Sequence, residues 1–281
     1  MPEQALLVDG LRFAESPRWI GDRLWFSDVH AYQLKTVTLD GDIAVVADVP
    51  GRPAGLGVLP DHRVLMATAL ERRLLAIGAD LTVSPVADLS GLATGLLNDM
   101  VVDGRGRAYV GDTGFNMATG EPPAPGRVIL CQDDAPPRIV VEGIVFPNGC
   151  AVTPDGAHFL ICETMARRIT RFRIDDDGTL TAPEVFAELE TPPDGLCLDA
   201  EGAAWVGLPH ASEFVRVSAG GRITDRIRSR YPFAVACALG GPERRILFLC
   251  SAETDLSRLA KGDSAGRIDT VEVEIPGAGW P

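Results

Sequence analysis

The chain is a succession of short apolar runs separated by turns rich in glycine, proline and aspartate. Runs such as 24–28 (LWFSD), 64–68 (VLMAT) and 246–251 (ILFLCS) have the length and composition of β-strands. Almost no segment has apolar residues at the spacing of an amphipathic helix. The pattern therefore predicts an all-β protein.

A strand-turn-strand phrase recurs six times along the chain. Its copies start at Glu15, Ala54, Asn98, Asn148, Asp194 and Phe233, with spacings of 39, 44, 50, 46 and 39 residues. A period of this size with short strands is typical of the blades of a β-propeller. Six such units fill nearly all of the 281 residues. We therefore predict one six-bladed β-propeller domain spanning residues 1–281.

The final repeat reaches the C-terminus after only three strands. The opening apolar run, residues 5–13 (ALLVDGLRF), has the length and composition of the missing outermost strand. Such a closure would join the two ends of the chain and remove an exposed sheet edge. We therefore expect residues 5–13 to pair with the last blade.

Equivalent positions of the blades converge on the axis of a closed ring, so the side chains at the repeat starts should meet. Four of the six carry oxygen donors: Glu15, Asn98, Asn148 and Asp194. Such oxygens suit hard divalent cations, and two carboxylates would leave coordination positions open for substrate. We predict a central site for one divalent metal ion, with Ca²⁺ as first choice and Zn²⁺, Mn²⁺ or Mg²⁺ as alternatives.

Each of these residues also has an ordinary structural interpretation. Asn148 and Asp194 precede glycines, as turn residues often do. Asn98, followed by Asp99, fits a turn cap, and Glu15 fits a surface charge. The shared register is what favours the functional interpretation over the structural one.

Other residues are expected around the ion. Phe233, at a repeat start without an oxygen donor, would form an apolar wall. Loops between second and third strands return to the same face, which places Asp112, Phe115 and His210 beside the substrate. The longest of these loops, residues 112–125, is long enough to cover the site.

The overall charge limits the possible partners. A net charge of −13 and a pI near 4.7 argue against nucleic acid or an anionic membrane, and are compatible with a cation and a small-molecule substrate. The six cysteines form no CxxC pair and are interpreted as buried core residues. We find no signal peptide and no apolar run of membrane-spanning length, and expect a cytoplasmic protein.

Four segments resemble the senescence marker protein/gluconolactonase/luciferin-regenerating enzyme family. They are 14–19 (AESPRW) with 24–28, 98–113 (NDMVVDGRGRAYVGDT), 146–156 (FPNGCAVTPDG) and 193–207 (PDGLCLDAEGAAWVG). The resemblance implies a six-bladed propeller that hydrolyses lactones or related esters. It also implies an ion held by residues matching Glu15, Asn148 and Asp194, with Asn98 near the ion and holding the substrate.

The chain departs from that pattern at the substrate side. Leu96 stands where sugar-lactone members of the family often carry arginine, and GDTGFN (111–116) replaces a frequent GTM. Together with Phe115, Met117 and Phe233, Leu96 predicts a less polar substrate than a sugar lactone.

The resulting hypothesis is a metal-dependent lactonase or related ester hydrolase. The ion would polarise the carbonyl group, Asp194 would act as the general base, and Asn98 would orient the substrate. Two different functions also fit the pattern. One is a rearrangement, condensation or lyase step on a specialised metabolite in the same pocket, and the other is a non-enzymatic binding propeller.

Overall fold

In a computed structural model of the chain, which describes residues 3–133 and 135–279, six four-stranded antiparallel sheets form a ring. The innermost strands of consecutive sheets contact one another all the way around, and the last contacts the first. The predicted six-bladed β-propeller is therefore confirmed.

The strands in chain order are β1 (Ala5–Leu11), β2 (Ala14–Ile20), β3 (Arg23–Asp28), β4 (Gln33–Thr38), β5 (Ile43–Asp48), β6 (Pro53–Val58), β7 (Val64–Thr68), β8 (Arg73–Ile77), β9 (Val83–Asp88), β10 (Leu97–Val102), β11 (Ala108–Asp112), β12 (Gly126–Gln132), β13 (Ala135–Ile144), β14 (Pro147–Val152), β15 (His158–Glu163), β16 (Arg168–Ile174), β17 (Leu180–Glu188), β18 (Leu196–Leu198), β19 (Ala204–Leu208), β20 (Glu213–Val217), β21 (Ile223–Arg228), β22 (Phe233–Gly240), β23 (Ile246–Glu253) and β24 (Ala265–Glu272). Blades 1 to 5 are β2–β5, β6–β9, β10–β13, β14–β17 and β18–β21, each running from the axis outwards. Blade 6 is β22, β23, β24 and β1.

Blade 6 closes the ring with strands from both ends of the chain. β1 pairs antiparallel with β24, and Ala5 lies opposite Thr270. Leu11, at the end of this strand, is buried in the cluster between blades 6 and 1. The closure expected from residues 5–13 is confirmed.

The hydrophobic core lies between the blades. Each of the six interfaces between neighbouring blades contains its own cluster of buried apolar side chains. At the interface of blades 6 and 1, for example, Trp19 stacks on Phe248 with ring centroids 5.4 Å apart. Because the inner strands contribute apolar residues to both of their faces, the runs in the sequence are nearly continuous.

Glycines allow the inner strands to approach closely around the axis. A Cβ atom at Gly55 would lie 2.4 Å from the backbone nitrogen of Met100, and one at Gly149 would lie 2.5 Å from that of Leu196. Side chains at these two positions would push neighbouring blades apart. The packed centre of the ring therefore depends on them.

Short helical turns connect the second and third strands of several blades. Four are 3₁₀ turns, at Val29–Ala31, Met117–Thr119, Thr164–Ala166 and Pro209–Ala211, and the connection in blade 6 contains a helix, α1 (Leu256–Leu259). These connections lie on the face where the inner strands begin. No helix in the described part of the chain has the length and hydropathy of a membrane span.

The last described residues lie on the opposite face of the ring, where they form hydrogen bonds with blade 5. The Ala200 N–H donates to the Pro276 carbonyl at 2.8 Å, and the Ala278 N–H donates to that of Leu198 at 3.0 Å. Residues 277–279 thereby line a small cavity at the ends of the inner strands.

Candidate active site in the central cavity

The six repeat-start positions line one cavity of about 230 Å³ at the centre of the ring. They are Glu15, Ala54, Asn98, Asn148, Asp194 and Phe233. The structure thus brings four oxygen-bearing side chains and two apolar ones together. This volume is just below the usual range for drug-sized ligands and would hold a smaller molecule.

A recurrent irregularity places these side chains. The pairing of the first two strands shifts register between Glu15 and Arg18 in blade 1 and between Leu97 and Met100 in blade 3, with equivalent shifts in blades 2, 4 and 6. Such bulges interrupt the regular alternation of side chains and re-aim one residue. In blade 5 the inner strand begins only at Leu196, so Asp194 precedes it in an irregular segment.

The two carboxylates of the ring lie in an unfavourable electrostatic environment. Burial raises the pKa of Glu15 well above its usual range, the charges of Asp194 and Asp99 raise it further, and Arg52 lowers it. The pKa of Asp194 is raised to about 7, mainly by burial. A hydrogen bond from Asn148 opposes this rise, and the charge of Asp99 adds to it. Two such carboxylates in one cavity would be stabilised by a cation.

The two amides are held by protein acceptors. The Asn98 Nδ2 donates to the Pro147 carbonyl at 3.0 Å, and the Asn148 Nδ2 donates to the Thr164 hydroxyl at 3.2 Å. Thr164 in turn donates to the Pro193 carbonyl at 2.9 Å. With their nitrogens engaged, both amides have a carbonyl oxygen left to offer.

The resulting donor set fits a hard divalent cation, which prefers carboxylate and carbonyl oxygens. Among the described residues, no group of three or more His, Cys, Asp or Glu side chains has a metal-binding arrangement. A site here would therefore need the amide oxygens of Asn98 or Asn148 alongside Glu15 and Asp194.

Asp99 is a buried residue of the cavity that the repeat pattern does not single out. Its Oδ1 accepts from the Arg18 guanidinium at 3.0 Å, from the Met100 N–H at 2.8 Å, and from the Ser16 hydroxyl. Arg18 is also buried and donates to the Met100 carbonyl at 2.8 Å. The charge of Asp99 is thus paired within the protein, which suits a structural role beside the ring.

Asp112, which the sequence places beside the substrate, does not line the cavity. Its carboxylate is fully buried and accepts from the backbone N–H groups of Gly95 at 2.7 Å, Thr94 at 2.9 Å and Gly114 at 3.2 Å. These donors lie just before the inner strand and just after the second strand of blade 3. The carboxylate binds the backbone of those segments and does not reach the cavity. The predicted contact of Asp112 with the substrate is therefore corrected: its role is structural.

The same device occurs at the end of the second strand in two other blades. Asp28 accepts from the Phe13 N–H at 2.8 Å, and Glu163 accepts from the Val145 N–H at 2.9 Å. Acidic residues that close LWFSD, AYVGD and HFLICE are therefore a signal of backbone anchoring rather than of catalysis.

Apolar side chains form the walls of the cavity. Phe115 packs edge-to-face on Phe146 with centroids 5.6 Å apart, and His210 packs likewise on Phe233 at 6.1 Å. Leu96 and residues 115–118 of the long loop also line the cavity. The structure thus brings Phe115, His210 and Phe233 to the cavity wall.

His30 and Arg52 line the same cavity. His30 stacks on Phe13 at 5.1 Å, and its Nδ1 lies 2.7 Å from the Ser264 hydroxyl. Burial and the nearby charge of Arg52 lower the pKa of His30 to about 4, so the imidazole is neutral near pH 7.

Comparison with known proteins relates the chain to a family. The family model described as the SMP-30/Gluconolactonase/LRE-like region matches residues 13–253. A pentonolactonase of Haloferax volcanii is 28% identical over 95% of this chain and 92% of its own length. An L-arabinolactonase of Azospirillum brasilense is 28% identical over 85% of this chain and 80% of its own length.

A shorter match, 28% identical over 56% of this chain and 44% of the relative, is to the strictosidine synthase-like 4 protein of Arabidopsis thaliana. Among solved structures, the calcium-binding protein regucalcin of Agrobacterium tumefaciens has the same fold. The two superpose with a TM-score of 0.84 over 100% of this chain and 97% of the other, at 21% identity. The family match covers most of the chain, and the protein therefore belongs to the SMP-30/gluconolactonase/LRE-like family.

Proposed function

We propose that this protein is a lactonase that opens a small cyclic ester with water. The observation that carries the proposal is the ring of Glu15, Asn98, Asn148 and Asp194 at one small, largely apolar cavity. The relatives named pentonolactonase and L-arabinolactonase, which align over most of this chain, support the same reaction class.

We further propose that Glu15, Asn148 and Asp194 hold one divalent cation, with Asn98 beside it. Their buried oxygens and raised carboxylate pKa values support a cation, and Ca²⁺ is the first choice for an all-oxygen set. When bound, such an ion polarises the ester carbonyl and favours the negative charge that develops there.

The protein side chains would perform the remaining steps. Asp194 would accept a proton from the attacking water, because its carboxylate lines the cavity and is oriented by Asn148. Asn98, fixed by the Pro147 carbonyl, would orient the substrate. Phe115, His210 and Phe233 would hold the carbon skeleton and exclude bulk water.

The test is turnover of a panel of sugar, aliphatic and aromatic lactones. Chelator-stripped protein would be compared with protein reconstituted with Ca²⁺, Mg²⁺, Mn²⁺ or Zn²⁺, and acid release would be measured by pH-stat. We expect hydrolysis of at least one lactone, restored by at least one cation. Cation binding in calorimetry without hydrolysis of any lactone would reject the lactonase, and hydrolysis unaffected by chelation would reject the metal dependence.

A second candidate is a condensation or rearrangement in the same cavity. The match to a strictosidine synthase-like protein and the departures at Leu96 and 111–116 support it. Mass spectrometry in heavy-oxygen water separates the two reactions, because hydrolysis incorporates solvent oxygen into the product and a rearrangement does not.

A further inference from the structure

Two residues before each repeat start lies a second set of equivalent positions. Five of the six line the cavity: Phe13, Arg52, Leu96, Phe146 and Pro192. Four of these five are apolar, and Arg52 carries the only charge among them. Blade 2 therefore places a cationic side chain, Arg52, at a position where four other blades place an apolar side chain.

The guanidinium of Arg52 has no acceptor among the described residues. Its Nε atom is buried without a hydrogen-bond partner. Glu15 acts on its charge electrostatically, without an ion pair between the two described residues. Three buried arginines outside this set behave differently: Arg18, Arg107 and Arg216 pair with Asp99, Asp103 and Asp199 at 3.0, 2.6 and 2.6 Å. Arg52 as a whole is half-buried, but its Nε–H is a buried charged donor without an acceptor, so a ligand acceptor there would be stabilising.

The backbone fixes Arg52 in this place. Its φ of 63° is left-handed, which is uncommon for a residue with a side chain. The Arg52 N–H donates to the Val49 carbonyl at 2.9 Å, and the Arg52 carbonyl accepts from the Ala69 N–H at 2.8 Å. Such a conformation persists because these two backbone hydrogen bonds hold it in place.

Among the carboxylates of the cavity, Glu15 attracts the charge of Arg52 but forms no ion pair with it. Arg18 pairs with Asp99. The two negative charges of Glu15 and Asp194 would be balanced by the proposed divalent cation. The cavity in its working state would then carry one net positive charge, located at Arg52.

We infer that Arg52 binds a carboxylate substituent of the substrate, so that the substrate class is a lactone or ester bearing a carboxylate on an otherwise apolar skeleton. The inference rests on the proposed lactonase function and narrows it. The apolar character follows from Phe13, Leu96 and Phe146, whose side chains offer no hydrogen bonds to hydroxyl groups. The planar guanidinium suits a carboxylate because it can donate two parallel hydrogen bonds.

The kinetic test uses a γ-butyrolactone carrying a ring carboxylate and the corresponding carboxamide, which has the same shape without the charge. We expect the wild-type protein to prefer the carboxylate in kcat/KM. In Arg52→Gln, we expect that preference to fall about 10- to 100-fold, as for the loss of a hydrogen bond to a charged group. Arg52→Lys should retain part of it. An unchanged preference in Arg52→Gln, or no preference in the wild type, would overturn the inference.

A binding measurement separates this inference from the lactonase proposal. Calcium-loaded protein is titrated with benzoate and with benzamide in a calorimeter. We expect benzoate to bind more tightly than benzamide in the wild type and to lose that advantage in Arg52→Gln. If no lactone is hydrolysed but benzoate binding depends on Arg52, the lactonase fails and the anion site stands. Benzoate binding that is equal in both proteins would place it elsewhere and reject the anion site.

Arg72 supplies a matched control for folding and charge. It has a left-handed φ of 56° and a buried Nε without a hydrogen-bond partner, as Arg52 does, but it does not line the cavity. Arg72→Gln should leave both the kinetic preference and the benzoate affinity as in the wild type. If Arg72→Gln changed them as much as Arg52→Gln does, the effect would be one of general charge, and the specific contact would be rejected.

Discussion

Glu15 and Asp194 supply the only carboxylates among the four repeat-start donors, so they should dominate cation binding. We expect Glu15→Gln and Asp194→Asn, which keep the side-chain shape, each to weaken Ca²⁺ binding and to lower kcat/KM by about 10²-fold or more. Calorimetry and lactone hydrolysis measure the two effects. Asp22→Asn removes an exposed carboxylate and serves as the control. Normal Ca²⁺ affinity in both variants would remove these residues from the ligand set.

The raised pKa of Asp194 predicts how the metal-free protein responds to pH. The carboxyl titrates near 7 when folded, against a usual value of 3.8, so between these values the folded state holds a proton that the unfolded state has lost. The free energy of unfolding should therefore decrease as pH rises through this window, by up to about 1.4 kcal/mol per pH unit from this group.

Denaturant unfolding of chelator-treated protein across this pH window measures the effect. The control is Asp194→Asn, which lacks the titrating group and should show a flatter pH dependence. A slope of equal size in the variant would show that other groups cause it. Added Ca²⁺ should reduce the slope in the wild type, because a bound cation favours the ionised carboxylate.

The residues of the cavity differ in how far the sequence predicts them. The repeat register is enough to bring Glu15, Asn98, Asn148 and Asp194 together, because a closed ring has one equivalent position per blade. The roles of Asp99 and Arg52 are harder to predict, because they depend on whether each charge forms an ion pair with another residue. Whether a buried charge is neutralised from another strand, as Asp99 is by Arg18, cannot be read from one strand's pattern.

At the scale of the element, the second strands of three blades end in an acidic residue that binds backbone N–H groups. Asp112 holds three backbone N–H groups, so we expect Asp112→Asn to destabilise the protein by roughly 3 kcal/mol. Urea unfolding at a fixed Ca²⁺ concentration measures this loss, with Asp22→Asn again as the control. A variant with unchanged stability but lost turnover would return Asp112 to the substrate site.

The strands themselves are largely predictable, because buried strands require apolar runs and their ends require turn residues. The helix α1 is not, since four residues are too few to show a helical period. It begins where the Asp255 carboxylate caps the Ser257 and Arg258 N–H groups at 2.8 and 3.0 Å. Its Leu256 and Leu259 line the cavity, so the sequence pattern misses a wall of the site along with the helix.

At the scale of the whole molecule, stability should depend on the closing strand. Deletion of residues 1–12 removes β1 and the burial of Leu11 between blades 6 and 1. We expect a lower melting temperature and loss of the single cooperative transition, because β24 becomes an exposed sheet edge. Differential scanning calorimetry tests this. An unchanged melting temperature would mean that β1 contributes little to the ring.

The six-bladed ring is predictable from the sequence because its period is carried by turns and apolar runs in every blade. The set of side chains that line the cavity is harder to predict, because it comes from six segments that are distant in the sequence. The walls combine Phe13 from the start of the chain with Phe146, Phe233 and Leu256. Only the folded ring shows that these side chains and Arg52 share one space.

Blade 6 contains strands from both ends of the chain, and this determines how the ring is closed. In a circular permutant whose ends are joined by a linker and reopened between β9 and β10, each blade would be built from four consecutive strands. In that permutant, the first and last blades would be joined by side-chain packing alone, because no blade would combine strands from both ends of the chain. In the present strand order, β1 pairs with β24 inside blade 6, so backbone hydrogen bonds between these two strands close the ring.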